Sequence, residues 1–65
     1  MRRELVIPSG HNDGWEYVFR KEAGRPIEML QRHQHLGRLG GWQVAKNFCL
    51  KAIISFEKLE AHFKD

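Results

Sequence analysis

The chain has few of the covalent and compositional features that reinforce small folds. Its 65 residues contain one cysteine, Cys49, so no disulfide can form within the chain. A domain of this length buries only about 60% of the surface of its unfolded chain. We expect a single domain over residues 1–65, held by its apolar core in a reducing, cytoplasmic compartment. Cys49 follows Phe48 and is interpreted as a buried apolar residue, not a reactive thiol.

Long apolar runs and catalytic motifs are also missing. No stretch approaches the roughly 20 apolar residues of a membrane-spanning helix, and the run at residues 5–7 is too short for a signal peptide. The chain contains no Gly-x-Ser-x-Gly, no Walker loop and no His-Glu-x-x-His. So short a chain also has little room for both a scaffold and a concave pocket of several hundred Å³. We therefore predict no membrane association, no catalytic residues and no cofactor.

The first half of the sequence has the patterns of β-strands. Residues 15–21 alternate Trp15, Tyr17 and Phe19 with other side chains, which places the three aromatic rings on one face of a strand. Residues 3–7 form a short run with β-branched side chains that precedes a proline, as an edge strand can. We predict a strand in each segment and expect the aromatic face of the second to pack on a helix.

Residues 26–31 are ambiguous, because their composition suits either a helix or a strand. Pro26 is a favoured first residue of a helix, and the residues after it are good helix formers. Gly24, however, is well placed for a hairpin turn from the strand at residues 15–21. The turn favours a third strand over residues 26–31.

The end of the sequence has the spacing of an amphipathic helix. Residues 42–64 contain no proline, follow a pair of glycines and carry apolar side chains at intervals of three and four. These side chains are Ala45, Phe48, Ala52, Phe56, Leu59 and Phe63. The predicted fold class is α+β, a short antiparallel sheet of two or three strands packed on one long C-terminal α-helix. The alternative is a β-hairpin followed by two helices.

Charge is distributed unevenly along the chain, whose net charge is +3. All six arginines precede residue 42, whereas four of the five lysines follow it. The planar donors of arginine suit phosphate and carboxylate, so the middle of the chain is predicted to meet an anionic partner. His33 and His35 lie in this region, but two histidines fall short of the three or four ligands of a zinc site. No metal site is predicted.

The glycines before the predicted helix suggest an anion site. Gly40 and Gly41 would leave the first amides of the helix open, and Arg38 and Lys46 flank them without a carboxylate between. We therefore predict a small non-enzymatic protein that contacts nucleic acid mainly through its phosphates. The predicted binding residues are Arg25, Arg32, His33, His35, Arg38, Gly40, Gly41 and Lys46.

A protein-interaction module is the alternative function, either a homodimeric adaptor or a small inhibitor of another protein. The net charge is modest for a nucleic-acid binder, and an acidic protein surface would suit the same basic residues. Val44, Ile53 and Ile54 widen the apolar side of the predicted helix. A long helix that overhangs a short sheet would need a second subunit or a partner to cover it, so a homodimer is expected.

Overall fold

A computed structural model describes residues 3–10, 13–48 and 53–64. Within them the chain forms a four-stranded antiparallel sheet followed by one short helix. Each strand pairs with the next along the chain, so the second and third strands are central and the first and fourth are edges. The elements are β1 (Arg3–Pro8), β2 (Trp15–Lys21), β3 (Glu28–His33), β4 (Gly37–Val44), a single 3-10 turn (Ala45–Asn47) and α1 (Phe56–His62).

The first three strands lie where alternation and turn chemistry predict them. The hairpin between β2 and β3 uses Gly24 at a φ of 76°, a conformation that glycine adopts without steric cost. Its neighbour Arg25 donates its backbone N–H to the carbonyl of Glu22 at 3.1 Å. β3 begins two residues later than predicted, at Glu28, because Pro26 has no N–H to contribute to a strand ladder.

The predicted fold class is wrong, and the error begins at the glycine pair. Residues 37–44 pair with β3 as a fourth strand, although a helix was predicted to begin at residue 42. From Leu39 to Gln43 this strand advances four positions while β3 advances two, so Gly40 and Gly41 lie in a bulge. Gly40 has a φ of 74°, as bulges that bend a strand often require. The glycines therefore bend a strand and do not precede a helix.

The long amphipathic helix predicted over residues 42–64 is also wrong, since α1 is seven residues long. Its start is set by Ser55, whose side chain accepts a hydrogen bond from the backbone N–H of Lys58 at 3.2 Å. Glu57 in the first turn complements the positive end of the helix. The alternative with two helices fails as well, because residues 28–33 form β3.

The core lies between α1 and one face of the sheet. Its buried side chains come from β2, from β3 and the residue before it, from the 3-10 turn, and from α1 and the residue that follows it. They are Phe19, Ile27, Met29, Ala45, Leu59 and Phe63. Arg3 fixes the end of the helix to the edge strand β1, because its guanidinium donates to the carbonyls of His62 and Phe63 at 3.0 and 3.1 Å. Ala52 of the predicted stripe and Cys49 lie outside the described residues.

Candidate functional site

Three rows of side chains cross the sheet on the face that α1 covers. Residues directly opposite one another on neighbouring strands share a face, so the strand register defines the rows. The first row is Leu5, Phe19, Met29 and Gln43; the second is Ile7, Tyr17, Gln31 and Leu39; the third is Trp15, His33 and Gly37. A seven-residue helix is about 10 Å long and does not extend across all three. Along the central strand β2, Phe19 is completely buried and Tyr17 and Trp15 are half-buried; on the edge strand β4, both Gln43 and Leu39 are exposed.

Beyond α1 the same face carries Trp15, Tyr17, Gln31 and Leu39, which we call the open patch; Leu39 is exposed and the other three are half-buried. Together with Glu16, these four residues line a shallow cleft of about 100 Å³. A second cleft of about 300 Å³ adjoins it, shares Gln31 and Leu39, and extends along the bulge of β4 to Phe48. The open patch therefore consists of aromatic and aliphatic side chains around one amide, with Glu16 at the margin of its cleft and a second cleft beside it.

The turn between β3 and β4 is organised by the imidazole of His33. Its Nδ1 accepts hydrogen bonds from the backbone N–H groups of His35 and Leu36, at 3.1 and 3.2 Å. The side chain of Leu36 at the turn is 77% exposed. An apolar side chain is thus presented to solvent on a turn whose backbone donors are already satisfied.

The same turn is tied to the loop that precedes β2. The backbone N–H of Gln34 donates to the carbonyl of Gly14 at 2.8 Å. The ring of Trp15 meets the ring of His33 edge-on, with 5.1 Å between the ring centres. An added methyl group at Gly14 would lie 2.5 Å from the His33 Nε2. The β3–β4 turn, the loop before β2 and Trp15 of the open patch therefore pack together at one end of the sheet.

The opposite face of the sheet is closed by its own charged side chains. Val18 and Leu30 are opposite one another and buried there, with 2% and 4% of their surface exposed. On one side of them Arg20 binds Glu28 at 3.0 Å, and on the other side Arg32 binds Glu16 at 2.6 Å. The aliphatic stems of such side chains shield apolar neighbours from water. We call this surface the sealed face.

The eight predicted binding residues do not form one site. Arg25 in the β2–β3 turn and Lys46 in the 3-10 turn lie at one end of the sheet, where the Ala45 N–H donates to the Ile27 carbonyl at 2.9 Å. His33 and His35 are at the other end with the β3–β4 turn. Arg32 and Arg38 are also towards that end, and Gly40 and Gly41 lie within β4.

The predicted phosphate site loses its physical basis. No helix begins directly after Gly41, which lies within β4. That position therefore offers no helix dipole and no row of free first-turn amides. Arg32 is engaged by Glu16, which neutralises its charge. Arg38 lies opposite it on β4 and is exposed, with no ion pair to any residue of the described ranges. The structure therefore removes the helix-terminus argument on which the prediction of phosphate contacts depended.

Comparison with known proteins adds no assignment, because the chain matches no protein-family model, no curated protein and no solved structure. Among residues 3–10, 13–48 and 53–64, no group of three or more His, Cys, Asp or Glu side chains could hold a metal ion. In the same ranges no helix has the length and apolarity needed to cross a membrane.

The exposed leucines were missed by sequence reasoning. Leu36 and Leu39 each stand beside glycines in the segment Leu36-Gly37-Arg38-Leu39-Gly40-Gly41, which was interpreted only through its arginine and its glycines. The informative signal was apolar residues within a glycine-rich hairpin, where a soluble turn normally carries polar side chains.

Proposed function

We propose that the protein is a small non-enzymatic interaction module that binds another protein through the open patch and the β3–β4 hairpin. The observation that carries the proposal is the exposure of Leu36 and Leu39, at 77% and 59%; Leu39 shares a cleft with the half-buried rings of Trp15 and Tyr17. Aromatic residues at the centre of an apolar contact supply most of the binding energy in many protein interfaces.

The rigidity of the hairpin supports this proposal. A contact residue on a mobile loop must be ordered on binding, and that ordering lowers the affinity. Here the hydrogen bonds to His33 Nδ1 hold the backbone on which Leu36 stands. The bond from Gln34 to Gly14 holds the same turn against the neighbouring loop. Leu36 is therefore presented in a fixed place before a partner arrives.

The charge distribution indicates which kind of partner this surface suits. The open patch contains no ionisable acid or base apart from the phenol of Tyr17, whereas the arginines of the two central strands are paired on the sealed face. We therefore propose a partner with a complementary apolar surface, not an acidic one. The expected homodimer lacks its original argument, since the short helix does not overhang the sheet, and a second copy becomes one outcome of the test.

Comparative affinity isolation tests the proposal. Three proteins are immobilised: the parent, the double variant Leu36→Asp/Leu39→Asp and a control variant Val6→Asp. Each is exposed to an extract of the cells in which the protein is naturally made. Val6 is a suitable control because it is also an exposed aliphatic residue, at 42%, and alternation in β1 places it on the sealed face. Circular dichroism establishes beforehand that all three proteins are folded.

The proposal predicts that the parent and the Val6→Asp variant retain the same protein and that the double variant loses it. The retained protein, once purified, should bind the parent with an affinity that changes little with salt, because the contact is apolar. Light scattering of the parent identifies the case in which the partner is a second copy. Equal retention by all three variants, or retention by none, contradicts the assignment of this surface.

A further inference from the structure

A cleft of about 670 Å³ opens at the end of the sheet far from the open patch. It lies between α1 and the connection from β2 to β3, and its lining includes Ile27, Phe56 and Phe63. Ile27 and Phe63 are core residues whose outer edges reach the cleft, and Phe56 is half-buried. The cleft is open to solvent along much of its length, so a bound molecule would lie in it partly exposed.

Three lysines from three different parts of the fold line the same cleft. Lys21 ends β2, Lys46 lies in the 3-10 turn, and Lys64 follows α1. The lining contains a single carboxylate, that of Glu60. None of the three lysines forms an ion pair with any residue of the described ranges, so each ammonium keeps its charge available to a ligand. The apolar lining is therefore bordered by a local excess of positive charge.

The position of one ammonium group is fixed by the fold. Lys21 Nζ donates a hydrogen bond to the carbonyl of Glu22 at 2.8 Å, which leaves two of its three donors for other acceptors. Lys46 and Lys64 are exposed and can turn towards an anion. Lysine ammonium groups act as point charges with rotatable donors and set no strict geometry on the group they bind. A compact head group such as a carboxylate or a phosphate meets this requirement.

We propose that this cleft binds an amphiphilic anion, a small molecule with an aliphatic chain and one carboxylate or phosphate head group. The chain lies along the edges of Ile27, Phe56 and Phe63, and the head group lies among the lysines. Burying the chain removes apolar surface of both ligand and protein from water, which drives binding. This ligand site goes beyond the proposed interaction module and uses none of the residues of the open patch.

The test uses the full chain with four probes below their micelle concentrations: decanoate, dodecanoate, dodecyl phosphate and dodecyltrimethylammonium. Isothermal titration calorimetry measures affinity, and backbone NMR shifts locate the site. Both anionic classes share the required chemistry, and their relative affinities identify the preferred head group. Dodecanoate should bind more tightly than decanoate, by at most about fourfold for each methylene that becomes buried. The cationic probe should bind at least about tenfold more weakly than dodecanoate, because it meets three like charges.

A charge-reversal double variant and a control variant distinguish binding in the cleft from nonspecific adsorption to the protein surface. The double variant Lys46→Glu/Lys64→Glu should weaken dodecanoate binding about tenfold, since two exposed attractions become repulsions. Lys58→Glu, at an exposed position of α1 outside the cleft lining, should leave the affinity unchanged. NMR shifts should concentrate at Ile27, Phe56 and Phe63. Equal binding of the cationic probe, an unchanged affinity in the double variant, or shifts centred on Leu39 would each overturn the proposal.

Failure of this proposal is distinguishable from failure of the interaction module. The lysine variants leave Leu36, Leu39 and the aromatic residues of the open patch intact, so protein retention should be unaffected. The unfolding transition of each lysine variant, measured in urea, verifies that a lost affinity is not a lost fold.

Discussion

The guanidinium carbon of Arg20 lies 4.0 Å from the centre of the Trp42 indole ring, while the same side chain binds Glu28 at 3.0 Å. A cation above an indole is attracted by the negative face of the ring, and the attraction grows when water is excluded. One arginine thus joins β2, β3 and β4 across the sealed face. On that face Arg20 and Arg32 are paired with carboxylates, whereas the open patch carries the exposed apolar side chain of Leu39.

Removing the indole should weaken the sheet without affecting partner binding. We expect Trp42→Ala to lower the free energy of unfolding by about 2 kcal/mol, from the lost cation–π contact and the lost apolar area. Urea denaturation followed by circular dichroism measures the change. Arg25→Ala, an exposed turn residue outside this cluster, should change stability by less than about 0.5 kcal/mol. Equal stability of the two variants would contradict the role given to the indole.

Leu59 is the residue of α1 whose truncation should destabilise the protein most. Leu59 is completely buried against Phe19 and its neighbours, so Leu59→Ala should cost about 3 kcal/mol. Phe56 is half-buried at the start of α1, and Phe56→Ala should cost clearly less. Lys58→Ala between them serves as an exposed control in the same urea series. A larger loss for Phe56 than for Leu59 would contradict the described position of α1.

Two glycines separate backbone strain from side-chain contact. Gly14 and Gly24 have φ values of 82° and 76°, so alanine at either position should cost about 1 kcal/mol in backbone strain. At Gly24 the added methyl group meets open space, whereas at Gly14 it meets the ring of His33. Gly14→Ala should therefore cost at least about 1 kcal/mol more than Gly24→Ala. Equal unfolding free energies for the two variants would exclude the close approach of Gly14 to His33.

The acceptor role of His33 can be separated from the packing of its ring. Phenylalanine at this position retains an aromatic ring beside Trp15 but accepts no hydrogen bond, so His33→Phe should cost about 1 kcal/mol. The amide resonances of His35 and Leu36 should shift in this variant, because both N–H groups lose their acceptor. His35→Phe is the matched control, since the imidazole of His35 accepts neither bond. Unchanged amide shifts at Leu36 in His33→Phe would contradict the described turn.

Local pattern was sufficient for β1, β2 and the β2–β3 hairpin. The alternation of Trp15, Tyr17 and Phe19 predicted the bounds of β2, and Gly24 resolved an ambiguous segment in favour of a strand. These features depend on near neighbours in the chain, where side-chain alternation and turn conformation act directly. The elements that these local features determine, β1, β2 and the β2–β3 hairpin, are the ones that the sequence predicted.

The fourth strand depends on distant contacts that sequence spacing does not contain. Ala45, Phe56, Leu59 and Phe63 are in the core or pack against it, yet they reach it from a 3-10 turn and from a short helix. The intervals of three and four between these apolar residues were therefore coincidental, because two separate segments contribute side chains to one core. A glycine pair fits a bulge as well as a helix boundary, and only the pairing with β3 decides between them. The argument for the anion site failed for the same reason, because it was built on the start of the predicted helix.

The most direct test of the account places a photo-crosslinking amino acid at Leu39 and, in a second protein, at Lys58. Both positions are exposed, and only Leu39 belongs to the open patch. After irradiation in the producing cells, the account predicts a discrete adduct of one partner protein or a second copy from position 39 and none from position 58. The adduct should disappear when Leu36→Asp is added to the first protein. Adducts from position 58 alone, or the same adducts from both positions, would contradict the assignment of the open patch as the binding surface.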